Sequence, residues 1–372
     1  MQEDFHYYAT YCAAILAGYS HDDSLDICYS SQFVDMCSKT YLNSIKARTD
    51  AATTQLQLEM MDARTDIVGL QDITRIWASF HFLPRDLYAV KKHRPRIYMN
   101  KYRLICGPNS DLLVKTVELA RNATLQAVGI AMHVLADTWA HAYFAGTPSL
   151  VINNTTPEFY EIITDEEGNE TERKIHFRHN PSAADDLDND NFTNSLYQGN
   201  EDSVMNLGHG RAGHLPDYSF IRYKYYPAWG DYAELIKDNP NDYMQAFAQM
   251  VYAMRYLRGE EDSFEKDTYA WEQIEPYRER IDAILRKRQL NACADWKAFG
   301  EELSGKEIPD FNVNEYQIEY EIVNKEQKRE AFLGKFIKAA LAQKGMVSNE
   351  IFKSGNLLGG FVKELLIRGM QS

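Results

Sequence analysis

The stretch HVLADTWAH, His133 to His141, decides how this chain is read. The residues before it, VELARNATLQAVGIAM, are rich in Ala, Leu, Val and Met and contain no proline, which predicts a long, mostly buried helix. A helix turns by about 100° per residue, so a step of four returns almost to the same face. His133, Asp137 and His141 therefore form one polar stripe on an otherwise apolar cylinder. An unpaired buried carboxylate costs several kcal/mol, so Asp137 requires a compensating partner. A hydrogen bond that orients a core histidine is the simplest compensation. A metal cation is another, and it gives both imidazoles a role. Residues eight apart are separated by about 12 Å along the axis, too far to grip one ion easily. Neighbours four apart lie about 6 Å apart at Cβ. The economical arrangement places His133 and Asp137 on one ion and His141 on a neighbour, with Asp137 able to bridge two.

Composition narrows the classes. The 372 residues, 45% of them hydrophobic, suffice for a full-size catalytic domain and an additional helical unit. No apolar run reaches the ~20 residues of a membrane span. The N-terminus, MQEDFHYYATYCAAILAG, has acids and a histidine where a signal peptide carries basic residues, which predicts a cytoplasmic protein. Cys12, Cys28, Cys37, Cys106 and Cys293 are scattered, odd in number and never arranged as CxxC, against a disulfide scaffold or a thiolate zinc site. The sequons at Asn122 and Asn191 carry no weight in a chain that is not secreted. A net charge of −14 argues against a general nucleic-acid binder. It leaves phosphate esters, small or lipid, as substrates, because bound divalent cations reverse the charge locally.

Along the chain, the first 145 or so residues read as helices, among them SQFVDMCSKTYL and TRIWASFHFL, and GPNSD at Gly107–Asp111 reads as a turn that caps the next helix. TPEFYEIITDEEGNETERKIHFRHNP alternates on both sides of EEGN, which predicts a small β-hairpin insertion at about 147–203, projecting from the helical body. The acidic run AADDLDNDN reads as an exposed loop. Asp186, Asp188 and Asp190 have calcium-loop spacing, but the glycine is missing and Tyr197 stands where a bidentate Glu belongs. Helix-like DYMQAFAQMVYAMRYLRG closes a metal-binding helical domain at residue 259. Residues 260–372 form a C-terminal helical extension, with amphipathic SFEKDTYAWEQIEPYRERIDAILRKR and a basic helix, EQKREAFLGKFIKAALAQKG, that packs on the body or on a partner.

Several further polar residues interrupt apolar or glycine-rich stretches. His6 lies in EDFHYYATY, Asp35 in SSQFVDMC and His81 in WASFHFLPRD. His209 and His214 bracket GRAG, and Asp217 follows in HLPD. Each has a structural role available on its own: a core histidine, a helix cap, a turn. Taken together beside an H-x3-D-x3-H stripe, these six residues point instead to one shared centre. His93, His176 and His179 sit among basic or polar residues and read as surface groups, and His21 as part of a helix N-terminal region.

This pattern resembles the all-α zinc-dependent phospholipase C and S1/P1 nuclease superfamily. It looks most similar to an uncharacterised bacterial branch, through MQEDFHYYATY, SQFVD and HVLADTWAH, over roughly Met1 to Gly259. The resemblance implies a multi-helical bundle of that type holding two or three zinc ions. Asp35, His81, His133 and Asp137 would surround the first, and Asp137 would bridge to a second that His6 also binds. His141 and His209, with His214 or Asp217, would hold the third. Three departures stand out. His141 is eight residues after His133 where the superfamily's next histidine falls about ten on. The chain begins with Met1 where secreted members expose a tryptophan amine to zinc. His214 and Asp217 stand where an H-x3-E pair is usual. The expected activity is a metal-dependent phosphoesterase using metal-activated water, with Asp35 orienting that water or taking its proton. Zinc is favoured by thiolate-free His/Asp ligation, and manganese and iron are compatible with it. Two other classes remain: an HD-type phosphohydrolase, for which only His21-Asp22 supplies the adjacent pair, and a non-catalytic, metal-stabilised helical interaction protein.

Overall fold

The structure is a computed structural model, and it describes residues 1–63, 65–165, 167–178, 184–194 and 207–359. His179, Tyr197 and the last part of the C-terminal tail lie outside them. A π-helical turn, Asp4–Ala9, runs directly into α1, Thr10–Leu16. Helix α2, His21–Phe33, is started by Ser20, whose hydroxyl accepts from the Asp23 N–H. Helices α3 (Lys39–Ser44), α4 (Gln57–Ala63), α5 (Ile67–Phe80), α6 (Arg96–Tyr102) and α7 (Asp111–Ala120) follow. Ser110 of the GPNSD turn caps α7 by accepting from the Leu113 N–H at 2.9 Å. Then come α8 (Leu125–Ala140) and a short α9 (Leu150–Asn153).

Helix α8 is buried on every face from Val128 onward, as its composition predicts, and this makes it the axis of the molecule. It packs against α2, α7, α5 and the later helices α10 (Asn239–Leu257) and α15 (Phe332–Lys353). Gly129 permits the closest of these contacts. A Cβ there would lie 2.3 Å from the Ile27 carbonyl oxygen and 2.5 Å from the Ser30 Cβ, so α2 rests backbone-to-backbone on α8.

The hairpin forms as read, with β1 (Tyr160–Thr164) antiparallel to β2 (Glu170–Lys174) and Gly168 in its turn at φ +85°. It does not project alone. A parallel pair, β3 (His176–Arg178) and β4 (Asn191–Thr193), follows. Strands β5 (Arg222–Tyr225) and β6 (Leu235–Asp238), which lie past residue 203, complete a four-stranded sheet in the order β2-β1-β5-β6. Its inner face, with Tyr223, Tyr225, Phe159 and Ile221, packs on Phe82 and Phe144 in a second apolar cluster. Those two aromatics neighbour His81 and His141 in sequence, so the sheet backs that end of α8. In the acidic loop Asp186 accepts from the N–H groups of Asp188 and Asn189, and Asp190 pairs with Arg173 and Arg288; this is a tied turn, not an open calcium loop.

Beyond residue 259 the amphipathic segment is shorter than its pattern: a turn of α11 (Trp271–Ile274) precedes α12 (Arg278–Arg286), because Pro276 interrupts the run. Helices α13 (Cys293–Ser304), α14 (Gln317–Ile322) and α15 follow. Trp296 packs edge-on against Phe5 with ring centroids 6.0 Å apart, and Phe336 against Phe33 at 4.8 Å. One apolar cluster runs from Met1 to Ile351, so the described residues from 260 to 351 share the core of the body. Among the described residues no helix is long and apolar enough to cross a membrane.

Replacing Gly129 by Val should force α2 off α8 and lower stability by about 2 kcal/mol or more, read as a drop in Tm. An unchanged Tm would show that this contact does not constrain the two helices.

Candidate metal centre

The stripe on α8 is the floor of the centre. His133 and Asp137 lie within the helix and His141 is its C-cap, all three buried. The π-helical turn delivers His6, the break after α2 delivers Asp35, and the C-cap of α5 delivers His81. His209 and Asp217 come from the glycine-rich loop before β5, where Gly208, at φ +53°, lies so close to the Phe82 ring that a Cβ would meet it at 2.0 Å. The residues fall into three groups, His6–His133–Asp137, Asp35–His81–His133 and His141–His209–Asp217, with ligand atoms in each group within 4.8 Å of one another.

Asp137 joins the groups. Its Oδ1 lies 3.1 Å from His6 Nε2, and its Oδ2 lies 3.2 Å from both His81 Nδ1 and His133 Nε2. Asp35 Oδ1 lies 3.7 Å from His81 Nδ1 and 3.9 Å from His133 Nε2. On the other side His141 Nε2 is 3.1 Å from Asp217 Oδ1, and His209 Nε2 is 3.6 Å from Asp217 Oδ2. His133 thus serves two groups, while His133 and His141, eight apart, belong to different ones. His214 stands outside the groups with its ring 56% exposed; its Nδ1 lies 3.3 Å from Asp217 Oδ2 and orients that carboxylate from the rim.

The tautomers are set by main-chain carbonyls. His81 Nε2 donates to Thr53 O at 3.0 Å, His141 Nδ1 to His81 O at 2.7 Å, and His209 Nδ1 to Gly213 O at 2.6 Å. Each ring thereby turns its other nitrogen toward a carboxylate. A ring nitrogen and a carboxylate oxygen at 3.1–3.6 Å call for positive charge between them, supplied by a proton on the ring, by the Met1 ammonium 3.3 Å from His141 Nε2, or by a metal ion. Two ligands about 2.0–2.2 Å from a tetrahedral ion sit roughly 3.3 Å apart, which these separations match. A metal fits the donor set.

Electrostatics agree. Burial works to raise the Asp137 carboxyl, yet His141, the Met1 amine, His133 and His6 hold it well below the usual carboxylate range. Asp217 behaves alike: burial opposes its charge, and the Met1 amine and His209 outweigh burial. Burial, with His133 nearby, lowers His6 to about 4, and burial lowers His209 to about 4 as well. Both imidazoles are thus neutral at pH 7, the form that binds metal. The cysteines take no part. Burial pushes the Cys37 thiol up to about 12, and no cysteine belongs to the groups found among the described residues.

Met1 is the group that sequence reasoning set aside. Its amine, fully buried, lies 2.8 Å from Asp137 Oδ1, 3.2 Å from Asp217 Oδ1 and 3.3 Å from His141 Nε2. Burial opposes its charge, but Asp137, Asp217 and Asp35 outweigh it and raise the amine to about 11. The carbonyls of Thr53 and Gly213 were also missed; a backbone acceptor leaves no mark in a sequence.

The chain belongs to a family of unknown function, DUF6765, whose model matches residues 1–351. No curated protein and no solved structure matches it.

Because His6 and His209 are lowered from 6.5 to about 4, metal-free protein should lose stability as pH falls from about 6.5 to 4, where only the unfolded chain takes up these protons. The loss is on the order of 3 kcal/mol for each, measurable by urea unfolding across that range. A flat profile would mean that the two rings are not held neutral.

Proposed function

We propose that the protein is a metal-dependent phosphoesterase, with zinc as its metal, acting on a small or lipid phosphate ester. The observation that supports this most directly is the set of three carbonyl-fixed imidazoles that aim their second nitrogens at carboxylates. Such rings are oriented as ligands before any ion arrives, and their second nitrogens are fixed as metal-bound histidines require. The thiolate-free donor set favours zinc, with manganese and iron next. Divalent cations, when bound, supply charge that acidifies water and offsets the charge developing on a phosphoryl group.

The chain's own contribution centres on Asp35. Its side chain is 27% exposed, whereas those of Asp137, His133 and His6 are buried. It is the carboxylate of the cluster with access to solvent, placed to orient a water and accept its proton at Oδ1. Asp137 keeps two groups in register, and Asp217, oriented by His214, holds the third. An interaction protein with a purely structural site would be expected to close its shell, and the open edge at Asp35 argues for chemistry. The HD-type alternative has no comparable support: His21 Nδ1 is hydrogen-bonded to the Tyr11 hydroxyl at 2.7 Å, at the start of α2, outside the metal groups found among the described residues.

The test is metal content of the purified protein, followed by hydrolysis of a chromogenic phosphodiester with and without chelator. Wild-type protein should contain zinc and lose activity on chelation. Asp137→Ala should retain no metal. Asp35→Asn should keep most of its metal and lose about 10²–10⁴ in kcat. Metal-free wild-type protein, or Asp35→Asn with full activity, would sink the proposal.

A further inference from the structure

The chain leaves the centre three residues after His81 and returns to it at Cys106. Pro84 bridges Cys106 at the base of this excursion, and the Cys106 N–H donates to Phe144 O at 2.7 Å. Residues 85–103, RDLYAVKKHRPRIYMNKYR, hold seven Lys or Arg against one acid in a chain whose net charge is −14. Their tip is built rigidly. The Lys91 ammonium pairs with Asp231 at 2.8 Å, Arg94 pairs with the same carboxylate, and Arg103 Nε donates to Ala89 O at 3.1 Å. Fixing these groups leaves Lys92 and Arg96 pointing into solvent without a carboxylate partner among the described residues. Between the cations stand side chains that gain nothing from water: Val90 and Ile97 are each 76% exposed and Tyr88 67%. Beside them an open groove of about 430 Å³ is lined by Arg94, Tyr98, Val151 and Tyr232.

We propose that this tip is a docking surface for an anionic lipid membrane, bound peripherally. A cationic loop with aliphatic and tyrosine side chains at its crest combines the two attractions a membrane surface offers: counter-charge at the headgroups and an apolar phase beneath them. A nucleic acid would use the cations and leave Val90 and Ile97 in water, so the exposed aliphatics favour lipid. The net acidity of the chain as a whole favours this basic segment as the part presented to a negative bilayer. The inference does not depend on the phosphoesterase reading, because docking needs no metal.

The experiment is co-sedimentation of the full chain with vesicles of phosphatidylcholine alone or mixed with phosphatidylglycerol, at low and high salt. Wild-type protein should sediment with the mixed vesicles only, and less at high salt. Lys92→Gln with Arg96→Gln should weaken binding about 30-fold, from roughly fivefold per cation. Val90→Ser with Ile97→Ser should weaken it about tenfold. Unaltered metal content and Tm would show that both double variants are folded. The proposal fails if wild-type protein ignores mixed vesicles, if it binds neutral ones equally, or if the variants bind as wild type. Tight binding of a duplex oligonucleotide that the glutamine pair weakens and the serine pair does not would reassign the surface to nucleic acid.

Discussion

A single carboxylate, that of Asp137, sets the terms for the rest of the molecule. It is 1% exposed in the last turn of a helix buried on every face, and burying such a charge without compensation costs several kcal/mol, a large share of a domain's margin of stability. Several of the segments around α8 bring a group to it or to its neighbours: the N-terminal turn His6, the end of α5 His81, the loop after β4 His209 and Asp217. The packing of the bundle and the assembly of the centre are therefore one process. A helix displaced by a few ångströms would leave both an apolar gap and an uncompensated charge.

The imidazoles are themselves held from behind, and this gives the C-terminal helix a role its pattern does not announce. Helix α15 inserts Lys344 and Gln343 into the body. Lys344 Nζ donates to Ala52 O at 3.1 Å, and Gln343 Nε2 donates to Ser79 O at 3.1 Å and to Thr116 Oγ1 at 3.0 Å. Thr53, the next residue after Ala52, supplies the carbonyl that fixes the His81 tautomer, and Ser79 lies two residues before His81. Burial lowers the Lys344 ammonium to about 8, a cost that the charges of Asp72 and Asp50 only partly offset. The sheet braces the other end: Lys237 of β6 donates to Trp139 O at 2.7 Å, capping the last turn of α8 beside His141.

What the sequence disclosed follows from what a periodic pattern can encode. The H-x3-D-x3-H stripe was legible because a helix repeats every 3.6 residues and because polar groups in an apolar run demand partners. Asp35, His81 and His6 were legible for the same reason, each being a polar residue where burial was expected. Choosing between His214 and Asp217 was not possible, since both are polar in a polar loop and only the fold turns one inward. Strands β5 and β6 escaped notice because RYKY and LIKD are short, and β5 joins the sheet through β1, some sixty residues away. The π-helical turn that aims His6 has no sequence signature at all, and the unity of the described residues from 260 to 351 with the body rests on long-range packing that an amphipathic pattern leaves open.

The basic excursion and the centre share a hinge of construction rather than a function. The backbone at Pro84 and Cys106 anchors both, since Phe82 stacks on the His141 ring at 4.7 Å and the Tyr143 N–H donates to Cys106 O at 2.9 Å. A loop joined to a rigid, charge-compensated core can hold cations and aliphatics outward together, whereas a flexible one would fold its apolar side chains back onto the body. The net charge of −14 then becomes an asset, because it sets this basic segment apart from the chain's overall acidity. The centre handles charge the other way: buried carboxylates are met by imidazoles and the Met1 amine where no solvent can screen them.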